Sequence, residues 1–328
     1  MISPASVARH LALAPLTRAA ALATTLAATL AAAAFGQPAR AAEPIPVVAS
    51  FSILGDLVKE VGGDHVIVET LVGPNGDAHV FSPSAADAKK LAGAKLIVVN
   101  GLGLEGWMSR LVKASGTKAP EVVASKGITP LKAEDEDDDH DDKGHAGHHH
   151  EGFDPHAWQN IGNVEIYVAN IRDGLIEVDP ANKAAYEATA AAYLAKLAAL
   201  QKEVKQAIDS IPPDRRRIIT THDAFGYFAK AYGFEIIAPQ GVSTESEASA
   251  KDVARVIKQI KAQKIPAVFM ENISDTRLMD RISKETGAKI GGKLYSDALS
   301  PPNGPAATYI AMMQSNTREL VAALAPTR

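Results

Sequence analysis

Cysteine is absent from all 328 residues, which excludes disulfides, thiolate nucleophiles, sulfur ligands to a metal and a lipid-modified N-terminal cysteine. A basic surplus is missing as well: the formal net charge is −4, and nothing in the charge suggests a nucleic-acid surface. There is no His-Glu-x-x-His pair and no Gly-x-Ser-x-Gly elbow, the usual marks of zinc proteases and serine hydrolases.

The one long apolar run, Ala19 to Phe35, follows Arg9 and Arg18 and ends in Gly36-Gln37-Pro38. A membrane helix needs about 20 apolar residues; this run is shorter, and Ala39-Arg40-Ala41 has small residues where a signal peptidase reads. We therefore read residues 1–41 as a signal peptide cleaved before Ala42. With no cysteine to acylate, the mature chain is expected to be free in the periplasm. It would hold 31 basic against 38 acidic side chains, a net of −7. Nine acids and one lysine of that balance fall in Glu134 to Glu151, beside His140, His145, His148, His149 and His150. Like charges at that density repel and no apolar period survives, so the stretch reads as a disordered loop.

The rest alternates strand and helix. Pro46–Ser50, Val66–Val72, Leu96–Asn100 and Glu121–Ala124 read as strands, with helices over Ile53–Val61, from Ser84 and over Trp107–Lys113. After the loop, a helix from about Asn163 to Val178 leads into the longest pattern in the chain. Asp179 and Pro180 suit a helix start, and Tyr186, Ala190, Tyr193, Leu197, Leu200, Val204, Ile208 and Ile211 recur every three or four residues before Pro212-Pro213 stops them. At about 1.5 Å per residue that helix would be about 45 Å long, enough to span two domains. The alternation then resumes: strands over Arg217–Thr221, Glu235–Ala238, Ala267–Glu271 and Lys293–Ser296, helices over Ala224–Tyr232, Ala250–Ala262, Thr276–Thr286 and Thr308–Leu324. Arg215-Arg216-Arg217 reads as a solvated face answering the helix dipole. The fold class expected is α/β: two lobes, each a mostly parallel sheet flanked by helices, joined by one long rigid helix. The domains are 42–179, the linking helix 180–211, and 212–328.

Outside the leader and the acidic loop four histidines remain: His65, His79, His156 and His222. His65, in the turn after Gly62-Gly63-Asp64, reads as a surface residue. The other three each follow an element end and precede a helix, and open α/β sheets place ligands at the carboxyl ends of their strands. Singly each suits a structural or capping role; together, two in one lobe and one in the other, they point to a site in the cleft. A divalent transition metal needs three or four donors, which without sulfur must be imidazole and carboxylate. Asp297 at the end of Leu294-Tyr295-Ser296-Asp297 is the carboxylate to add, although its spacing suits a turn cap equally. Each ligating ring needs its second nitrogen held; Asp77, Asp154, Asp223 and backbone carbonyls are candidates. Glu245, Glu247 and Glu271 lie near strand ends and read as surface or capping groups before cleft lining.

Gly76-Asp77-Ala78-His79, Asp154-Pro155-His156-Ala157-Trp158, His222-Asp223-Ala224-Phe225-Gly226-Tyr227-Phe228 and Leu294-Tyr295-Ser296-Asp297, in this order around a long helix, resemble the metal-binding solute receptors of bacterial ABC importers. These are the zinc and manganese cluster (A-I) that includes the ZnuA-like and TroA-like proteins. The resemblance covers essentially the whole mature chain. It implies a metal site of His79, His156, His222 and Asp297, a protein that performs no reaction, and, as partners, a membrane permease with its ATPase and a periplasmic metallochaperone. It also implies a monomer. Manganese receptors of the family carry a glutamate where this chain has His222, so the cargo implied is Zn²⁺. Ala78 replaces the family's usual proline, which alters loop stiffness and not the donor. The acidic loop offers many donors without preformed geometry: it gathers Zn²⁺ loosely through His140, His145, His148, His149 and His150, or is a soluble insertion without that role. Two alternatives stand beside this reading: a manganese receptor of the same family, or a zinc hydrolase using three histidines, an open position and Glu271 as base.

Overall fold

The structure, a computed structural model, describes residues 43–133 and 152–326. The expected signal peptide and acidic loop both lie outside those residues.

The described residues from Pro44 onward form one compact unit containing two parallel sheets. The first comprises β1 (Ile45–Phe51), β2 (Val66–Val72), β3 (Leu96–Val99) and β4 (Glu121–Val123), in the order β2-β1-β3-β4. Helices α1 (Ser52–Gly62), α2 (Ala85–Gly93) and α3 (Met108–Ser115) make its crossovers. The second repeats the plan with β5 (Arg217–Ile219), β6 (Glu235–Ile237), β7 (Ala267–Glu271) and β8 (Lys289–Leu294), in the order β6-β5-β7-β8. Its helices are α6 (Gly226–Tyr232), α7 (Ala250–Gln263) and α8 (Arg277–Thr286). Both sheets reverse direction of growth beside their first strand, and in open parallel sheets the crevice at such a point is where ligands sit.

Between the sheets run α4 (Ile161–Val178) and α5 (Lys183–Ile208), and α9 (Tyr309–Leu324) closes the chain. The stripe predicted on α5 is buried along its whole length, Tyr186 to Ile208, and packs against α1, α4 and α9. Thus α5 is a spine laid into a core shared by the two lobes. That core continues from the first sheet through α4, α5 and α9 to Phe269 and Leu294 of the second. A smaller cluster of Ile219, Val253, Val256, Ile260, Val268, Met279 and Ile282 fills the space under α7 and α8.

Three local expectations are corrected. Asp179 does not cap a helix through its side chain; its carboxylate accepts from Asn182 Nδ2 and Tyr186 Oη, both at 2.7 Å. The reason is that a 3₁₀ turn, Pro180–Asn182, precedes α5 and shifts the first α-helical turn beyond its reach. Arg216 is a C-terminal clamp and not a solvated face: Nε and Nη2 donate to Ile211 O and Ile208 O at 2.9 and 3.1 Å, carbonyls just beyond and at the end of α5. Strand β8 begins four residues earlier than expected. Gly291-Gly292 lies inside the strand: a Cβ on Gly291 would fall 2.5 Å from the Phe269 ring, and Gly292 has φ +120° at a register irregularity against β7.

Candidate metal centre

Four loops bring the predicted donors together. His79 ends the turn after β2, where Gly76 N–H donates to Gly73 O and His79 N–H to Asp77 Oδ1 at 2.9 Å. Trp107 Nε1 pins the loop by donating to Ala78 O at 2.8 Å. His156 follows Asp154-Pro155, and the Asp154 carboxylate holds it twice, accepting from the backbone N–H at 2.9 Å and meeting Nδ1 at 2.8 Å. Asn100 Nδ2, just past β3, donates to Pro155 O. His222 follows β5, and Asp297 follows β8, its neighbour Ser296 fixed through its carbonyl by Trp158 Nε1 and Gln159 Nε2 at 2.9 and 2.7 Å.

All four are buried, His156, His222 and Asp297 completely and His79 to 7% exposure. Their tips converge. His79 Nε2 lies 3.2 Å from His156 Nε2 and 3.3 Å from Asp297 Oδ2; His156 Nε2 is 3.5 Å from Asp297 Oδ1; His222 Nε2 is 3.2 Å from Asp297 Oδ2. One donor atom from each of the four lies within 4.8 Å of all the others. A tetrahedral zinc ion with bonds of ~2.0–2.1 Å has donor–donor edges of about 3.3–3.4 Å, so these separations suit one small cation held by four protein atoms. Burial without a hydrogen-bond partner for Asp297 Oδ1, Asp297 Oδ2 and His222 Nε2 is expensive unless a cation answers them. His65 is elsewhere, edge-on to the Tyr186 ring.

Burial opposes charge on His156, but Asp297 and Asp154 outweigh it and lift the ring to about 9. His222 is moved well above its ordinary value in the same way, burial being overcome by Glu271 and Asp297. Asp297 is held well below the carboxylate range: burial alone would raise it, and the charges of His156 and His222 reverse that. The cluster without a cation therefore stores protons on imidazole, and a cation must displace them.

Glu271 is the residue beside the candidate donors that sequence reasoning misplaced. It is 1% exposed, not a surface group. Its Oε1 accepts from Thr221 N–H and His222 N–H at 2.7 and 3.0 Å, and its Oε2 lies 2.5 Å from His222 Nδ1, a charge contact without hydrogen-bond alignment. The signal available was its place as the last residue of a buried strand, beside the strand that delivers His222. Of the other candidates, Asp154 supports His156 as expected, Asp77 holds the His79 backbone, and Glu245 and Glu247 are exposed. The carboxylate at His222 Nδ1 belongs to Glu271. The second lobe also reaches across: Tyr227 Oη donates to Asp154 O at 2.9 Å, and a Cβ on Gly226 would lie 2.7 Å from Asp154 Oδ2, so only glycine leaves that carboxylate its place.

Paired parallel α/β lobes sharing one long helix, with buried nitrogen and oxygen donors between them, define a bilobal solute-binding receptor. The profile of the family described as "ZnuA: Zinc-uptake complex component A periplasmic" matches residues 47–323, and the chain belongs to this family. It is 35% identical to the iron-binding protein YfeA of Yersinia pestis over 91% of this chain and 94% of that one. To the manganese-binding lipoprotein MntA of Halalkalibacterium halodurans it is 34% identical, over 86% and 89% respectively. Among solved structures it is similar to the periplasmic zinc-binding protein TroA of Treponema pallidum, with a TM-score of 0.77 and 31% identity over 86% of this chain and all of that one.

Proposed function

We propose that this protein is the zinc receptor of an ABC importer, capturing Zn²⁺ through His79, His156, His222 and Asp297 and delivering it to a membrane permease driven by its ATPase. The observation that carries the reading is the meeting of three Nε2 atoms and one carboxylate at 3.2–3.5 Å among buried residues. Three imidazoles suit borderline zinc, whereas manganese prefers oxygen-rich shells. The names of YfeA and MntA favour a second reading, an iron or manganese receptor of the same family, against which His222 as a nitrogen donor is the argument. A hydrolase is disfavoured: Asp297 fills the position a catalytic water would need, and Glu271, the base that reading requires, faces His222 Nδ1, on the side of the ring away from the other donors.

The lobes are 42–179 and 212–328, joined by 180–211. Export to the periplasm follows from the leader at 1–41. Relatives named lipoproteins, MntA among them, run against an unanchored chain; the absence of cysteine is what supports one. Residues 134–151 gather metal loosely, so deleting them should leave one tight equivalent of zinc. Bonds that cross the cleft, such as Asn75 N–H to Leu299 O at 2.9 Å and Leu299 N–H to Ser52 Oγ at 3.0 Å, together with α5, favour small loop movements over wide opening. Metal analysis of the purified protein, followed by competition among Zn²⁺, Mn²⁺ and Fe²⁺, tests the proposal. One tightly held zinc is the expected result, and preferential retention of manganese or iron would overturn the choice of metal.

A further inference from the structure

Resting on that receptor reading, we propose that Asn272 is the positioning residue that couples the two lobes' donors and sets the rate at which the cation leaves. Asn272 follows the last residue of β7 and is not itself a donor to the cation. Its backbone N–H donates to Leu294 O at 3.1 Å. Its carboxamide straddles Asp297: Oδ1 accepts from Ser296 N–H at 3.3 Å and Nδ2 donates to Ala298 O at 3.1 Å, one residue on either side of the ligand. The same Nδ2 crosses the cleft to Asn75 Oδ1 at 3.2 Å.

Asn75 lies in the turn that ends at His79. Its backbone is left-handed, with φ +56°, a conformation asparagine tolerates better than most residues, and its own N–H donates to Leu299 O at 2.9 Å. A path of hydrogen bonds thus runs from the Asp297 segment through one carboxamide to the loop that presents His79. Glu271, the preceding residue, holds His222. The dipeptide Glu271-Asn272 therefore governs three of the four donor segments, and only His156 is held wholly by others. The chemistry required is specific: an acceptor for one N–H and two donor hydrogens aimed at two oxygens, which among side chains of this size only asparagine supplies. Aspartate keeps the acceptor but loses both donors.

With this link broken, the donors remain and the backbone bond from Asn75 to Leu299 still ties the His79 loop to the Asp297 segment, but the tie is weaker, so dissociation changes more than association. The test uses the mature chain loaded with one Zn²⁺, chased with a chelator in stopped flow, with association measured separately. Asn272→Asp and Asn272→Ala should each raise the dissociation rate about tenfold or more, with association within about threefold of wild type. Asn75→Gly, which removes the cross-cleft partner and suits the left-handed backbone, should raise it in the wild-type background and have no further effect in Asn272→Ala. Unchanged dissociation in the Asn272 variants refutes the inference, as does an equal effect of Asn75→Gly in both backgrounds. If Asn272→Ala fails to fold, the same cycle is run with Asn272→Asp and the same two results decide. A wild-type chain that takes up no zinc sinks the receptor reading itself, whereas uptake with unaltered release sinks only the role of Asn272.

Discussion

Replacing Glu271 with glutamine keeps the size of the side chain but removes one acceptor from a place that employs two. Glu271 uses both oxygens, Oε1 for the N–H groups of Thr221 and His222 and Oε2 opposite His222 Nδ1. Glutamine has one acceptor oxygen and one donor group. If the oxygen takes the Oε1 place, the NH₂ faces Nδ1, which must then accept; the proton moves to Nε2, the atom needed for the cation. If the oxygen takes the other place, two buried N–H groups face an NH₂, at about 1–3 kcal/mol for each group left unsatisfied. Either arrangement weakens zinc binding, and the loss typical of such supporting groups is about 10–100-fold, or about 1.4–2.8 kcal/mol. Competition against a chromophoric chelator measures it, with circular dichroism of the metal-free protein as the control for folding. Wild-type affinity in Glu271→Gln would refute the claim that this carboxylate fixes the His222 ring.

His222→Glu should weaken Zn²⁺ much more than Mn²⁺ in parallel competition titrations, because it exchanges an imidazole for an oxygen donor; equal losses would show that donor type at this position does not select. Affinity for zinc should rise with pH. The His156 ring, lifted to about 9 by Asp297 and Asp154 against the effect of burial, stabilises the metal-free fold fully below its ordinary value of about 6.5, and that contribution is lost as pH rises through about 9. Over the same window the cation displaces fewer protons, each worth about tenfold in affinity per pH unit. Calorimetry in two buffers of different ionisation enthalpy should therefore detect proton release at neutral pH, and pH-independent binding would contradict the geometry. Leu197→Ala, a completely buried position midway along α5, should cost about 2–5 kcal/mol of stability in chemical denaturation while leaving zinc stoichiometry at one; a change in stoichiometry would mean that the spine does more than hold the lobes.

Much of the molecule was legible in local pattern. The stripe from Tyr186 to Ile208 declares a helix that buries one face, since its apolar residues recur at helical spacing whatever lies against them. The strand–helix alternation declares parallel sheets, and His79, His156, His222 and Asp297 stand at element ends, where each singly suits a cap as well as a ligand and only the family resemblance implies the set. Where the reading failed, a partner distant in sequence decided the outcome. Strand β8 reads as starting at Lys293 until the Phe269 ring is placed against Gly291. Glu271 reads as a surface acid until β7 is set beside β5, and Asn272 carries no sequence signal at all.

By itself, then, the sequence determined the chemical types of the donors, their order, and the elements that carry them, because composition and periodicity are properties of the chain. Only the tertiary structure decided that three Nε2 atoms and one carboxylate face a common point, which buried acid holds His222, and which amide bridges the lobes. Those depend on the order of strands in two separate sheets and on how one shared core sets the sheets against each other, and neither relation is written in any single stretch of residues.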